Sequence, residues 1–440
     1  MTGFSVRTLT CPPDPMALFS GIRHLPGSFL LHSAPGFASH RYSVFSALPL
    51  QTEQREPGQP AADCIDAMIA RLDLHSSKPR DYPLPGWYGL LGYELQTLIP
   101  TSPGTHGLPA LRAGFYPVVF LVDHACATVS CIALEGFSDH ADHLIADLQN
   151  AKIETASFQL TQPFTSNMTR DHYGDCFAKV QAYLHAGDCY QVNLAQRFHA
   201  TCSGDSWAAF QQLCTALPAP MAAYFSQPDF ECLSLSPERF LAISDGNIST
   251  HPIKGTRPRH QDPELDHQSA SELQASEKDR AENLMIVDLL RNDLGLSCVP
   301  GSIRVTDLFA IESYANVHHM VSRIEGRLRP EIHPLKALLA AFPGGSITGA
   351  PKKRAMEIIA ELEPDSRLFY CGSAFYCDVG GRLDSSILIR SLVRQNESLY
   401  CWGGGGIVAD STADSEYQET LHKVGVILRT LEGIGTSIKS

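Results

Sequence analysis

The stretch Ala409–Lys423, ADSTADSEYQETLHK, constrains the fold most, because its spacing predicts a helix with two demanding faces. At 3.6 residues per turn Glu416, Glu419 and Lys423 share one face. Tyr417, Leu421, Val424 and Leu428 form another, expected to be the core stripe. Two acids one turn apart repel unless positive charge lies between them. A hard cation such as Mg²⁺ meets that need, taking carboxylate oxygens while keeping positions open for a substrate oxygen. A solvated acidic helix start, favoured by the helix dipole, explains the same spacing without a metal.

Strand and helix patterns alternate through the rest of the chain. Phe29–Leu31 and Gly86–Leu91 read as strands, and Ile65, Met68, Ile69 and Leu72 give Ala61–Leu72 a helical period. Thr169 predicts an N-cap for a helix with Tyr173, Phe177, Val180 and Tyr183 on one face, closed by Gly187. CYQVNLAQRF alternates as a strand, with Tyr190, Val192 and Leu194 on one side and Gln191 and Asn193 on the other. Strand-like FECLSLS leads into Pro237-Glu238, and a strand over Asn247–Ile253 leads into Lys254. Arg257–Ser271 is polar and charged and reads as a mobile loop. A long helix is expected from about Ser276 to Gly295. The polar stretch Asn150–Asn167 separates an N-terminal region, 1–150, from a region spanning 165–435.

With 440 residues and 44% hydrophobic content, the chain has ample core for two to three units or one interleaved body. A net charge of −13 argues against nucleic acid or an anionic membrane as partner, so any anion site must concentrate positive charge locally. Thirteen scattered cysteines without a C-x-x-C pair fit reduced thiols and a cytoplasmic location. MTGFSVRTLTCPPDP lacks the apolar core of a signal peptide, and the longest apolar runs, such as Tyr116–Val122, are strand-sized, so no membrane span is expected.

Several residues carry candidate chemistry. Lys254, in HPIKGTRPRH, is a potential nucleophile if burial or a neighbouring cation lowers its pKa; a solvated turn lysine is the plain alternative. Glu282, in AENLMIVDLLRND, is a third candidate carboxylate. FPGGSITGAPKKRAMEIIAELE reads as a glycine-rich turn entering a helix. Thr348 or Gly349 would cap it, Pro351 would sit in its first turn, and Lys352 would reinforce an anion site at its N–H groups. Gly403–Gly406, in WGGGGIVAD, permit close backbone approach to a ligand. Arg390, in the strand-like SILIRSL, suits a carboxylate, whether a ligand's or the protein's own. His319, in NVHHMVS, is the histidine singled out for substrate contact.

Taken together, and in this order, PIKGTRPR, AENLMIVDLLRND, NVHHMVS, FPGGSITGAPK, IVADS and EYQET resemble the motifs of the chorismate-utilising enzymes, which include anthranilate, aminodeoxychorismate, isochorismate and salicylate synthases. The resemblance covers about 165–435. It implies an α+β, anthranilate synthase component I-like fold, with two large, mainly antiparallel sheets packed as a sandwich and helices outside. It implies a Mg²⁺ ion held by Glu282, Glu416 and Glu419. Lys254 becomes the nucleophile, Glu238 the acid and then base, and His319 a catalytic-site partner. Thr256, Thr348, Gly349, Tyr370, Arg390, Gly404, Gly405 and Lys423 become substrate-binding residues. LLHS (Leu30–Ser33) and LPAPMAAYF (Leu217–Phe225) resemble segments that flank a tryptophan site in the aminating members, suggesting Leu31, Ser33, Pro220 and Met221 as such a site.

Two positions divide that family. Its water-adding members use a lysine base where this chain has Gln191, and a neutral amide cannot deprotonate water. Anthranilate synthases carry Ala where this chain has Lys254, and lysine there resembles the branch that aminates chorismate to 4-amino-4-deoxychorismate for para-aminobenzoate and folate synthesis. The chain shows no glutaminase module, so a separate glutamine amidotransferase subunit is expected to supply ammonia. Anthranilate synthase component I and a non-catalytic chorismate- or tryptophan-binding paralogue are the alternatives. The second predicts losses at Glu238, Glu282, Glu416 or Glu419, and all four are present.

Overall fold

The computed structural model describes residues 3–37, 41–96, 107–150, 157–314 and 317–434. Among these, the strands form two large sheets, one of twelve strands and one of ten, and every pairing described is antiparallel. Both sequence regions feed both sheets. Phe29–His32 pairs with Met221–Ser226 in the larger sheet, and Gly86–Leu91 pairs with Ser373–Asp378 in the smaller. Residues 151–156 of the expected boundary lie outside the described residues, and Phe158–Ser166 is a strand of the larger sheet.

The sheets pack through an aromatic and aliphatic core. Phe29 of the larger sheet stacks on Tyr88 of the smaller with ring centroids 4.4 Å apart. Strands buried on both faces read as near-continuous apolar runs, as in Val118–Asp123. Helices cover the outer face of the larger sheet, where Phe19, Trp207, Phe210, Val424 and Ile427 pack against Phe45, Tyr224 and Leu233. Burying a side chain of this kind stabilises by about 1.5–3 kcal/mol. No described helix is long and apolar enough to cross a membrane. All thirteen cysteines are free thiols.

Two features position the site. The glycine strand Ser398–Ile407 pairs along one side with Gln191–Gly204, from Thr201↔Ser398 to Val192↔Ile407. On its other side it pairs with Ser391–Gln395 only as far as Cys401. Residues 402–407 therefore offer an edge, and the last helix, Ala413–Gly433, packs across them.

Several expectations are corrected here. Arg257–Ser271 is not a loop: Ile253–Pro258 is a strand and Pro263–Ala275 a helix. The cue was Asp262-Pro263, a capping aspartate before a proline at the first helical position. Asn247–Ile253 divides into Asn247–Thr250 and Ile253–Pro258, which puts Lys254 inside the second strand. Arg390 lies beyond the strand Leu383–Ile387, in a connection where its φ is +53°. Lys352–Leu362 is a helix, but Pro351 occupies its N-cap, and neither Thr348 nor Gly349 caps it. Lys352 donates to Asp293 at 2.8 Å and to the Ala341 carbonyl at 2.8 Å, so its charge serves the protein rather than an anion. In the last helix the buried stripe is Glu416, Thr420, Val424, Ile427 and Leu431, with Tyr417, Leu421 and Leu428 only partly buried. Tyr190 is 68% exposed and does not join Val192 and Leu194 in the core. The helix Arg170–Ala186 carries the expected Thr169 cap and αL Gly187, and Glu277–Gly295 falls within the expected bounds, with Ser276 as its N-cap.

Candidate active site

A cavity of about 600 Å³ opens between the strand Ile253–Pro258, the glycine strand and the helices Glu277–Gly295 and Ala413–Gly433. It gathers Lys254, Glu238, His319 and Thr256 with Tyr370, Arg390 and Lys423, and also Glu282, Glu416 and Glu419. Residues spread over 186 positions of sequence thus meet at one place.

Glu238 sits in the turn between Glu231–Ser236 and Arg239–Ser244 and is buried. Burial pushes its carboxyl up to about 7. The Ser346 hydroxyl, donating to Oε1 at 3.0 Å, and the charges of Lys254 and Lys423 oppose that rise. A carboxyl so placed keeps its proton close to neutrality, as a general acid requires. His319 is also buried, and burial first, then the charge of Arg390, pushes its imidazole down to about 4. A neutral ring bonded through Nδ1 to Thr256 Oγ1 at 2.8 Å is held in one orientation and is a poor proton donor. Burial lowers the pKa of the Arg390 guanidinium, and among the described residues no carboxylate forms an ion pair with it. Tyr370 stacks on Trp402 with centroids 6.0 Å apart.

The opposite wall carries the carboxylates. Lys254 Nζ and Lys278 Nζ each stand 4.0 Å from Glu282, and Lys423 Nζ stands 2.7 Å from Glu419 and 2.8 Å from the Gly404 carbonyl. Burial raises the pKa of Glu282 and of Glu416. Glu419 ends below the usual value because Lys423, with Lys254 and Lys278, more than offsets its burial. Glu416 Oε1 accepts from the Ser411 hydroxyl at 2.7 Å, while its buried Oε2 has no partner among the described residues. Gly405 makes room for it: a Cβ there would lie 2.8 Å from that oxygen. No three His, Cys, Asp or Glu side chains among the described residues converge on a ready metal cage. The donor set is present in one cavity, with ammonium groups spaced between the carboxylates.

Three expected binding residues, Thr348, Gly349 and Gly405, do not line the cavity. Thr348 donates its hydroxyl to the Gly344 carbonyl, and Gly349 packs on the carbonyl of Gln191; Ser346 and Ile347 line the cavity instead. Leu31, Ser33, Pro220 and Met221 do not line this cavity. Their segments adjoin each other, through Leu31↔Ala223 and through Ala34 N–H donating to the Ala219 carbonyl. Sequence reasoning missed Ser346, Asn193 and Lys278 as lining residues. Lys278 had a signal, since it lies one turn before Glu282. Ser346 had none, because its contact spans 108 residues.

A family model described as "chorismate binding enzyme" matches residues 31–429. The chain belongs to the chorismate-binding enzymes. Aminodeoxychorismate synthase component 1 of Salmonella typhimurium is 44% identical over 458 residues, covering 98% of this chain and 100% of that protein. The Escherichia coli protein of the same name is 45% identical over 442 residues, covering 94% and 95%. Among solved structures, anthranilate synthase component I from Streptococcus pneumoniae superposes with a TM-score of 0.79 at 27% identity, covering 91% of this chain and 94% of that one. The expected anthranilate synthase component I-like architecture is the one observed.

Proposed function

We propose that this chorismate-binding enzyme converts chorismate and ammonia to 4-amino-4-deoxychorismate in the cytoplasm, with ammonia supplied by a glutamine amidotransferase subunit. Curated relatives 44–46% identical over most of the chain carry the corresponding name. The observation that carries the reading is the meeting, in one cavity, of the Lys254 amine with Glu238, an acid held to about 7.

Lys254 gives its proton to solvent, and its amine bonds to ring carbon 2 as a substituted ammonium while the carbon 4 hydroxyl leaves as water, taking the Glu238 proton. Ammonia then bonds to carbon 4, Lys254 departs as the neutral amine, and the Glu238 carboxylate takes a proton from the new ammonium group. Arg390, half-buried and without an ion pair among the described residues, holds a substrate carboxylate, while Tyr370, Thr256 and His319 position the ring. Glu282, Glu416 and Glu419 would hold Mg²⁺, and the unpartnered Glu416 Oε2 fits that role. When bound, the ion supplies charge neutralisation for the ring carboxylate.

Incubation with chorismate, Mg²⁺ and ammonium chloride, followed by the lyase that removes the enolpyruvyl group, should yield para-aminobenzoate. Fluorescent anthranilate and pyruvate released without the lyase would instead establish the anthranilate reaction, the reading favoured by the structural match to anthranilate synthase component I. The seam of Leu31, Ser33, Pro220 and Met221 is assigned to tryptophan, and a calorimetric titration with tryptophan that gives no heat removes that assignment.

A further inference from the structure

Lys254 sits where its own strand is least held. Among the described residues Ile253–Pro258 is the outermost strand at one edge of the smaller sheet, paired only with Val317–Arg327. The pairing runs from Ile253↔Val321 to Thr256↔His319, so one strand advances one residue more than the other. Lys254 and Gly255 therefore form a bulge outside the regular ladder, and a bulge re-aims the side chains it carries. An edge strand interrupted at that point has no second sheet neighbour to fix the direction of the Lys254 side chain.

Ion pairs to two helices stand where the ladder is missing. Arg257 donates to Asp279 Oδ2 at 2.9 Å, in the first turn of Glu277–Gly295, and to the Thr256 carbonyl at 3.0 Å. Arg259 donates to Asp266 at 2.8 Å, in the first turn of Pro263–Ala275. The Asp279 pair closes on the bulge itself. Gly255 has φ +82°, and a Cβ there would lie 2.9 Å from Asp279 Oδ1 and 2.8 Å from Leu273 Cδ1, so a side chain at this position would push the helix off the bulge. Asp279 is fixed in turn, because the Ser276 cap accepts its N–H at 3.2 Å. Three residues further along the same helix, Glu282 stands 4.0 Å from Lys254 Nζ. One rigid element thus packs on the bulge and faces the amine.

We propose that Asp279 and Arg257 form a clasp that holds the bulge and so aims the Lys254 amine at the substrate ring. They are positioning residues, acting through Lys254. A misplacement of about 1 Å can cost a nucleophile about 10²-fold in rate, so a clasp on a loosely paired strand has a large effect to exert. This rests on Lys254 as the nucleophile of the proposed amination. It adds that the direction of attack is set by the helix carrying Glu282, rather than by the sheet to which Lys254 belongs.

The test follows formation of the Lys254 adduct by intact mass, on the full chain with chorismate and Mg²⁺ but no ammonium. Asp279→Leu removes the acceptor of the clasp and Arg257→Met its donor. Each should slow adduct formation about tenfold or more. The double variant should be no slower than either, because all three lose one interaction. Arg257→Lys, which keeps a donor, should recover part of the rate, and Arg259→Met, which breaks the pair farther from Lys254, should keep nearly all of it. Chorismate affinity, measured by calorimetry in a Lys254→Ala background where no adduct forms, should not change. Arg257 is partly exposed, so Arg257→Met decides the matter if Asp279→Leu fails to fold. Wild-type rates in the clasp variants overturn the proposal. An equal slowing in Arg259→Met, the mark of a generally loosened strand, also overturns it, as does weakened chorismate binding in Arg257→Met, which assigns that arginine to the substrate. A wild type that forms no adduct sinks the amination chemistry, a separate failure. The clasp is then judged by hydrogen exchange: faster exchange confined to 253–257 in the clasp variants supports it, and unchanged protection there overturns it.

Discussion

On the wall formed after the strand Glu231–Ser236, one carboxyl, Glu238, is buried with a single hydroxyl donor and keeps its proton to about 7. On the wall formed by the helices Glu277–Gly295 and Ala413–Gly433, three carboxylates crowd together with Lys254, Lys278 and Lys423 spaced among them. Both walls bury carboxyls, and they differ in how many cations stand beside them. Burial raises Glu238, Glu282 and Glu416 alike, and of the four only Glu419, with Lys423 beside it, ends below the usual value. On the proposed reading, proton transfer uses the first wall and charge binding the second.

Substitutions can break this division. Glu238→Gln keeps the shape and removes the proton; kcat should fall by about 10²–10⁴ with Mg²⁺ affinity unchanged. Parallel loss of metal affinity, measured by titration calorimetry, would merge the two walls. Arg367→Met strips the support behind Asn193 and leaves Glu363 buried without its partner, at a cost of about 3–5 kcal/mol by denaturant unfolding. Glu416→Gln should weaken Mg²⁺ binding by at least the ~10–100-fold that disturbing a metal's surroundings costs, without shifting the pH profile of kcat.

The smallest effect concerns stability. Glu238 keeps its proton to about 7 in the folded chain, against 4.5 for an ordinary glutamate. Between those values the unfolded chain binds fewer protons, so the contribution of Glu238 to stability falls as pH rises from about 4.5 to about 7 and stays low above. Glu238→Gln cannot ionise and removes that loss. Its Tm at pH 8 should exceed that of the wild type by on the order of a few degrees, with the gap closing at pH 4.

The charge-binding wall was the more legible in the sequence. The face shared by Glu416, Glu419 and Lys423 follows from helical period alone, and the Glu282 helix was expected from about Ser276 to Gly295, close to where it lies. Helical spacing is local, so it survives translation from sequence to structure. The proton wall depends on long-range contacts that no period encodes: Ser346 meets Glu238 across 108 residues, and Arg367 meets Asn193 across 174. Arg390 was taken for a strand residue because SILIRSL alternates, yet the chain turns there at φ +53°. The core stripe of the last helix was misjudged for a related reason. Glu416 and Thr420 are buried by the glycine strand, and a polar residue facing a strand without side chains looks like surface in sequence. The sandwich itself came from the family resemblance, since alternation cannot tell which strands pair.

Mass spectrometry of the intact chain, mixed with chorismate and Mg²⁺ in the absence of ammonium, tests the account most directly. A species heavier by chorismate less one water, absent from Lys254→Ala and discharged by added ammonium, is the predicted result. Product formation on addition of ammonium with no such species at any time, or the same species on the Lys254→Ala chain, would contradict it.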